Sequence, residues 1–226
     1  MKTLRALLLT PLTGIAVLAA AISASAANHY VRSDATGAAD GSNWTDAWTN
    51  LPATLVRGDT YFIAGGTYAG AITLNTPDSG GTWIYIRKAT PSDHGTPTGW
   101  QDSYGTSNAL FTGPWALNTD YWDMDGRTGS ERAGYGFEVY YNTTTADNIF
   151  EITGSNINFQ HMNVHAYPEG SSPKDSMGDP TGGPLGYYQG MKLDHSSNLY
   201  FGHCYIHHLY GCPFQPVNAN NDECDH

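Results

Sequence analysis

Apolar residues in this chain fall in short alternating pairs separated by polar corners. Phe150 and Ile152, Ile157 and Phe159, and Met162 and Val164 form one run of three pairs. Met191 and Leu193, Leu199 and Phe201, and Cys204 and Ile206 form the next. Side chains two positions apart share one face of a strand, so each pair predicts a short strand with two inward residues. The two runs are near copies. SNINFQHMNVHAY (155–167) returns as SNLYFGHCYIHHLY (197–210), and Asn156 and Asn198, Phe159 and Phe201, His161 and His203, and His165 and His207 are related by a constant offset of 42. Further pairs precede them: Ile72 and Leu74, Ile84 and Ile86, Ala109 and Phe111, Trp122 and Met124. Read as first strands, the starts at 72, 109, 150 and 191 step by 37, 41 and 41; second strands at 84, 122, 157 and 199 step by 38, 35 and 42. Self-similarity at this period means a solenoid or a propeller.

A coil of three short strands uses about half of such a period. The rest falls in Gly-, Pro-, Ser- and Thr-rich stretches at 88–108, 127–148 and 166–190. A constant core with variable side loops fits an all-β parallel β-helix, in which coils stack about 4.8 Å apart and insertions gather on the binding face. A propeller would need hairpin turns between its strands, and only MDGR resembles one. Asn156 above Asn198 predicts a corner ladder, because Asn tolerates the left-handed backbone and bonds its neighbour in the stack. Trp48, Leu51 and Leu55 at helical spacing predict one short capping helix over 45–55, with Pro52 against it.

Composition changes the picture at the ends. Lys2 and Arg5, an apolar run over 6–22 and Ala24-Ser25-Ala26 predict a secretory signal peptide (1–26) cleaved before Ala27. The remaining 27–226 carries 8 basic against 21 acidic residues, a charge that repels nucleic acid and anionic membrane. It also repels polyanionic sugars unless a local basic cluster intervenes. Export permits a disulfide, and Cys212 with Cys224 is the expected pair; Cys204 occupies an inward position and reads as a small core residue.

The stretch YVRSDATGAADGSNWTDAWTNLPATLVRGDTYFIAGGTYAGAITLN resembles the opening of secreted right-handed β-helix proteins of the pectate-lyase-like superfamily. The turn Gly58-Asp59-Thr60 through Gly65-Gly66-Thr67-Tyr68 and the phrase YWDMDG carry the likeness, which spans most of 29–210. It implies a secreted carbohydrate-active protein. Members include polysaccharide lyases that use Ca²⁺ held by Asp and a basic residue as proton acceptor, hydrolases with paired Asp, and adhesins without chemistry. No catalytic motif of one such family matches position by position.

The residues offer one cluster of that chemistry. Glu151 is expected over Lys192 and Thr153 over Asp194, outward on adjacent coils, with the 166–190 loop entering beside them. Lys192 and Lys174 are the candidate proton acceptors, Asp175, Asp179 and Asp194 the candidate Ca²⁺ ligands, and Glu151 and Tyr200 the candidate sugar contacts. An ordinary ion pair under a solvated loop explains the same residues. The two histidine columns could hold a transition metal, but the repeat alone produces their spacing. NANNDECDH (218–226) reads as a polar tail without the EF-hand pattern. No closing element is evident after Ile206, which suggests the N-terminal part of a longer solenoid. The expected activity is β-elimination on a uronate-containing polymer. The alternatives are a glycan-binding, adhesive or end-to-end self-assembling β-helix, and a glycoside hydrolase.

Overall fold

The computed structural model describes residues 25–129, 134–141, 148–166, 189–209 and 213–225. Residues 1–24, which hold most of the expected signal peptide, lie outside that set. The strands in chain order are β1 (Asn28–Val31), β2 (Thr60–Ile63), β3 (Gly66–Ala69), β4 (Ile72–Leu74), β5 (Ile84–Lys88), β6 (Ala109–Thr112), β7 (Trp115–Leu117), β8 (Trp122–Asp125), β9 (Phe137–Tyr140), β10 (Asn148–Ile152), β11 (Ile157–Gln160), β12 (Met162–His165), β13 (Gln189–Asp194), β14 (Leu199–Gly202), β15 (Tyr205–His207), β16 (Phe214–Val217) and β17 (Glu223–Asp225). Every third strand joins the same sheet. The first sheet runs β1-β2-β5-β8-β11-β14-β17, the second β3-β6-β9-β12-β15 and the third β4-β7-β10-β13-β16. All neighbours in the sheets are parallel, so the chain is a parallel β-helix of five three-strand coils, flanked by β1 and β17.

The alternating pairs are the core. Ile84 and Ile86, Trp122 and Met124, Ile157 and Phe159, and Leu199 and Phe201 all point inward and are buried. Like residues stack on like: the Phe159 and Phe201 rings lie 4.9 Å apart and 5° from parallel, a contact worth about 0.5–1.5 kcal/mol beyond burial. The expected steps of 38, 35 and 42 hold in register, with Ile84 on Trp122, Trp122 on Ile157 and Ile157 on Leu199. The Asn ladder forms as well. Asn156 and Asn198 both have φ of 56°, and Asn198 Nδ2 donates to Asn156 Oδ1 at 3.1 Å.

Several expectations are corrected. Ala109 and Phe111 belong to the second sheet, and Trp115 and Leu117 are the true partners of Ile72 and Leu74. All three sheets share the same alternation, so spacing alone could not assign them. Phe137 and Val139 form β9 inside the stretch expected as loop, fully buried between β6 and β12. No helix forms over 45–55. Trp48 lies alongside β1 instead, with its N–H on Tyr30 O and its carbonyl on Arg32 N, which spends the backbone groups a helix would need. The stretch after Lys88 does not project freely. Ala89, Trp100 and Tyr104 fold onto Tyr30, Trp44 and Phe62, covering the outer face of the first sheet at β1 and β2.

The tail is also structured. Phe214 pairs with Met191 and Cys224 with Phe201, so 213–225 continue the coil where a loop and polar tail were expected. Cys204 packs against the core as expected. Cys224 is a free thiol, against the expected disulfide, and Cys212 lies outside the described residues.

Candidate functional site

Glu151, Lys192 and Asp194 do converge, on the outer face of the third sheet. β10 and β13 pair in register there, which places Glu151 beside Lys192. Lys192 Nζ donates to Glu151 Oε1 at 3.1 Å and lies 3.1 Å from Asp194 Oδ2; Asp194 Oδ1 meets His195 Nδ1 at 2.6 Å. The hydrogen bond to Glu151, then that to Asp194, holds the Lys192 amine above its ordinary range. The hydrogen bonds from Lys192 and then His195 hold the Asp194 carboxyl below its range. Lys192 is therefore kept as an ammonium, the wrong state for a proton acceptor. Asp194 has both oxygens engaged. Lys174, Asp175 and Asp179 lie outside the described residues. Tyr200 stands apart on the first sheet, in register with Asn158 and Glu223, its ring folded back over Gly202.

A second constellation, not anticipated from the sequence, lies where the first sheet turns into the second. A cleft of about 190 Å³ is lined by Arg87, Lys88, Thr90, Ser92, Asp93, Asp125, Arg127, Thr128 and Gly129. Arg87 is fixed by Asp123, with Nη2 on Oδ2 at 2.7 Å and Nη1 on the carbonyl at 3.1 Å, and its guanidinium lies over the Tyr85 ring. Asp125 Oδ1 accepts the Arg127 N–H at 2.9 Å and meets His161 Nδ1 at 2.8 Å; Oδ2 lies 3.8 Å from Arg127 Nε.

Lys88 is the unusual member. It follows Ile84 and Ile86 on the inward parity of β5 and is only 3% exposed. Gly136 makes room for it: a Cβ there would come within 2.7 Å of Lys88 Cγ. Lys88 Nζ donates to Ala89 O at 2.7 Å, and among the described residues no carboxylate pairs with it. Burial pushes its amine down to about 8. A sequence signal existed in WIYIRK, where a charged residue occupies the third position of an apolar column. Arg87, Asp125 and Arg127 carried no comparable signal, because their meeting depends on the stacking of β5 on β8.

The histidine columns form as expected from the repeat. His161 stacks on His203 and His165 on His207, each with ring centroids 5.1 Å apart. His165 Nε2 bonds Glu138 Oε1 at 3.0 Å and His207 Nε2 bonds Asn163 Oδ1 at 2.7 Å, while His207 Nδ1 meets His208 Nδ1. Ring nitrogens point their lone pairs within the ring plane, so stacked rings do not converge on one ion. Among the described residues no group of three or more His, Cys, Asp or Glu is arranged to hold a metal.

No family model, no curated protein and no solved structure matches this chain.

Proposed function

We propose that the protein is an exported carbohydrate-active β-helix protein, a polysaccharide lyase that cleaves a uronate-containing polymer by β-elimination in the Arg87–Lys88–Arg127 cleft. The observation that carries this reading is the buried Lys88 amine, pushed down to about 8 within a cleft flanked by two arginines. On a chain of net charge −11 the cleft brings Arg87 and Arg127 together beside Lys88, with Asp93 and Asp125 also in its lining, and the two arginines are the groups for an acidic sugar to meet. The pectate-lyase-like resemblance of the opening agrees with it.

The chemistry assigns roles to groups in place. Arg87, held rigid by Asp123, and Arg127 pair with the uronate carboxylate and stabilise the charge that builds on it. Neutral Lys88 takes the proton from the carbon beside that carboxyl. The electron pair forms a carbon–carbon double bond and expels the glycosidic oxygen on the next carbon, which takes a proton from water. The products are one unsaturated end and one new hydroxyl end. Of the Ca²⁺ ligands expected on the Lys192 face, Asp194 is engaged by Lys192 and His195, and Asp175 and Asp179 lie outside the described residues. No step is routed through a metal.

The test is to incubate the exported protein with polygalacturonate, alginate and hyaluronan, following ultraviolet absorbance and reducing ends together. Absorbance rising with reducing ends on one polymer is expected. Reducing ends without absorbance would make the protein a hydrolase, and polymer binding with neither would make it an adhesive module.

A further inference from the structure

Asp59 is a buried carboxylate, 6% exposed, that the pairing of β2 with β1 brings beside Ala27. It stands at the head of β2 and accepts two contacts across the first sheet. Its Oδ1 takes the Ala27 backbone N–H at 2.8 Å, and its Oδ2 meets His29 Nε2 at 2.8 Å. Thr60 N closes the pair by donating to Ala27 O at 2.9 Å. Ala27 is thus held at both its nitrogen and its carbonyl. Ser25, Ala26 and Ala27 itself are exposed, so the buried partner of this contact is Asp59. Ala26–Ala27 is also the bond at which the small-residue pattern Ala24-Ser25-Ala26 predicts signal-peptide cleavage.

We propose that export processing at Ala26–Ala27 produces an α-ammonium seated on Asp59, so that cleavage turns an amide contact into a buried-carboxylate ion pair that locks the first strand. The inference rests on the export part of the proposed function and not on the lyase chemistry. Hydrolysis of the Ala26–Ala27 amide by a signal peptidase consumes one water. The carboxyl leaves on Ala26, and the amine stays on Ala27 and takes a proton. The nitrogen already lies at charge-assisted hydrogen-bond distance from Oδ1, so no rearrangement is needed. A charged donor binds a carboxylate about twice as strongly as a neutral one.

The other groups facing Asp59 are His29 and Tyr61. His29 stacks on Tyr61 and lies against Trp48. Burial first, with the Asp59 charge adding to it, pushes the Tyr61 hydroxyl up to about 12, so Tyr61 stays neutral through the range in question. A protonated amine gaining a carboxylate partner contributes stability at neutral pH, and the contribution is lost as pH rises and the amine deprotonates.

The experiment has two parts. The first residue of the exported protein is read by terminal sequencing, and Ala27 is expected. Proteins beginning at Ala27 and at Ala26 are then melted at pH 7 and pH 10.5, each also as Asp59→Asn. The Ala27 form should melt about 2–4 °C above the Ala26 form at pH 7. That margin should vanish at pH 10.5 and in Asp59→Asn. If Asp59→Asn does not fold, N-acetylated Ala27 protein removes the same charge and should lose the same margin. A different first residue, or equal melting of the two forms at pH 7, would overturn the proposal. Neither readout uses a polysaccharide, so failure here leaves the lyase reading standing, and a failed lyase assay leaves this one standing.

Discussion

Lys88 concentrates the physics of the molecule at one residue. Its stem occupies an inward position where Ile84 and Ile86 stand before it, and burial disfavours its charge. A base whose folded-state value is lowered binds fewer protons folded than unfolded. Stability must therefore rise as pH climbs from about 8 toward the ordinary lysine range. Lys88→Met should abolish that rise and stabilise the protein below pH 8 by about 1–3 kcal/mol, measured by urea melts at pH 7 and 10. The corners concern single residues too. His161 and His203 share left-handed backbones near 50°, as do Asn156 and Asn198 at another corner. Asn198→Ala loses the ladder bond and strains the left-handed position, so it should cost about 1–3 kcal/mol, while Asn198→Gly should cost less. The Asn ladder was legible in the sequence because a repeated Asn at a corner has one common physical cause. The Lys88 cleft was not, because Arg127 and Asp125 reach Lys88 only through the stacking of separate coils.

At the scale of elements, alternation specifies strands and says little about which sheet receives them. The pairs at Ile84, Trp122, Ile157 and Leu199 stack as their spacing predicts. The pair at Ala109 falls in another sheet, since nothing in a two-residue pattern marks the sheet it will join. β9 escaped for a related reason: its stretch is rich in Gly and Tyr, and its apolar pair is flanked by residues typical of loops. Phe137 decides the matter experimentally. It is fully buried and meets Phe111 at 5.8 Å between ring centroids. Phe137→Ala should destabilise by about 3–5 kcal/mol in a urea melt, whereas a loop residue would change stability by about 0.5 kcal/mol or less. The expected helix failed because of backbone accounting. Trp48 gives its N–H and carbonyl to β1, and Trp48, Leu51 and Leu55 pack against the core without a helix between them.

The described molecule is a stack in which each strand of a coil pairs only with the strands of the coils beside it, and stability in such a stack is close to a sum of coil and interface terms. That architecture gives the cleft its frame. The first sheet supplies Arg87 and Asp125 in register on adjacent strands, and the Thr90–Asp93 turn and Arg127 form the walls. Repetition made the solenoid readable from sequence; the departures from repetition, at 90–93 and 127–129, build the site. The central claim is that Lys88, as a neutral amine, drives elimination on a uronate polymer. Its most direct test is the initial rate of unsaturated product from the responsive polymer at pH 7 and pH 9, for the natural protein and for Lys88→Met. An amine titrating near 8 predicts a rate about tenfold higher at pH 9 than at pH 7. Lys88→Met should lower the rate at pH 9 by about 10²–10⁴-fold while keeping the fold. A Lys88→Met protein that keeps the natural rate, or a natural protein that forms no unsaturated product from any of the three polymers, would contradict it.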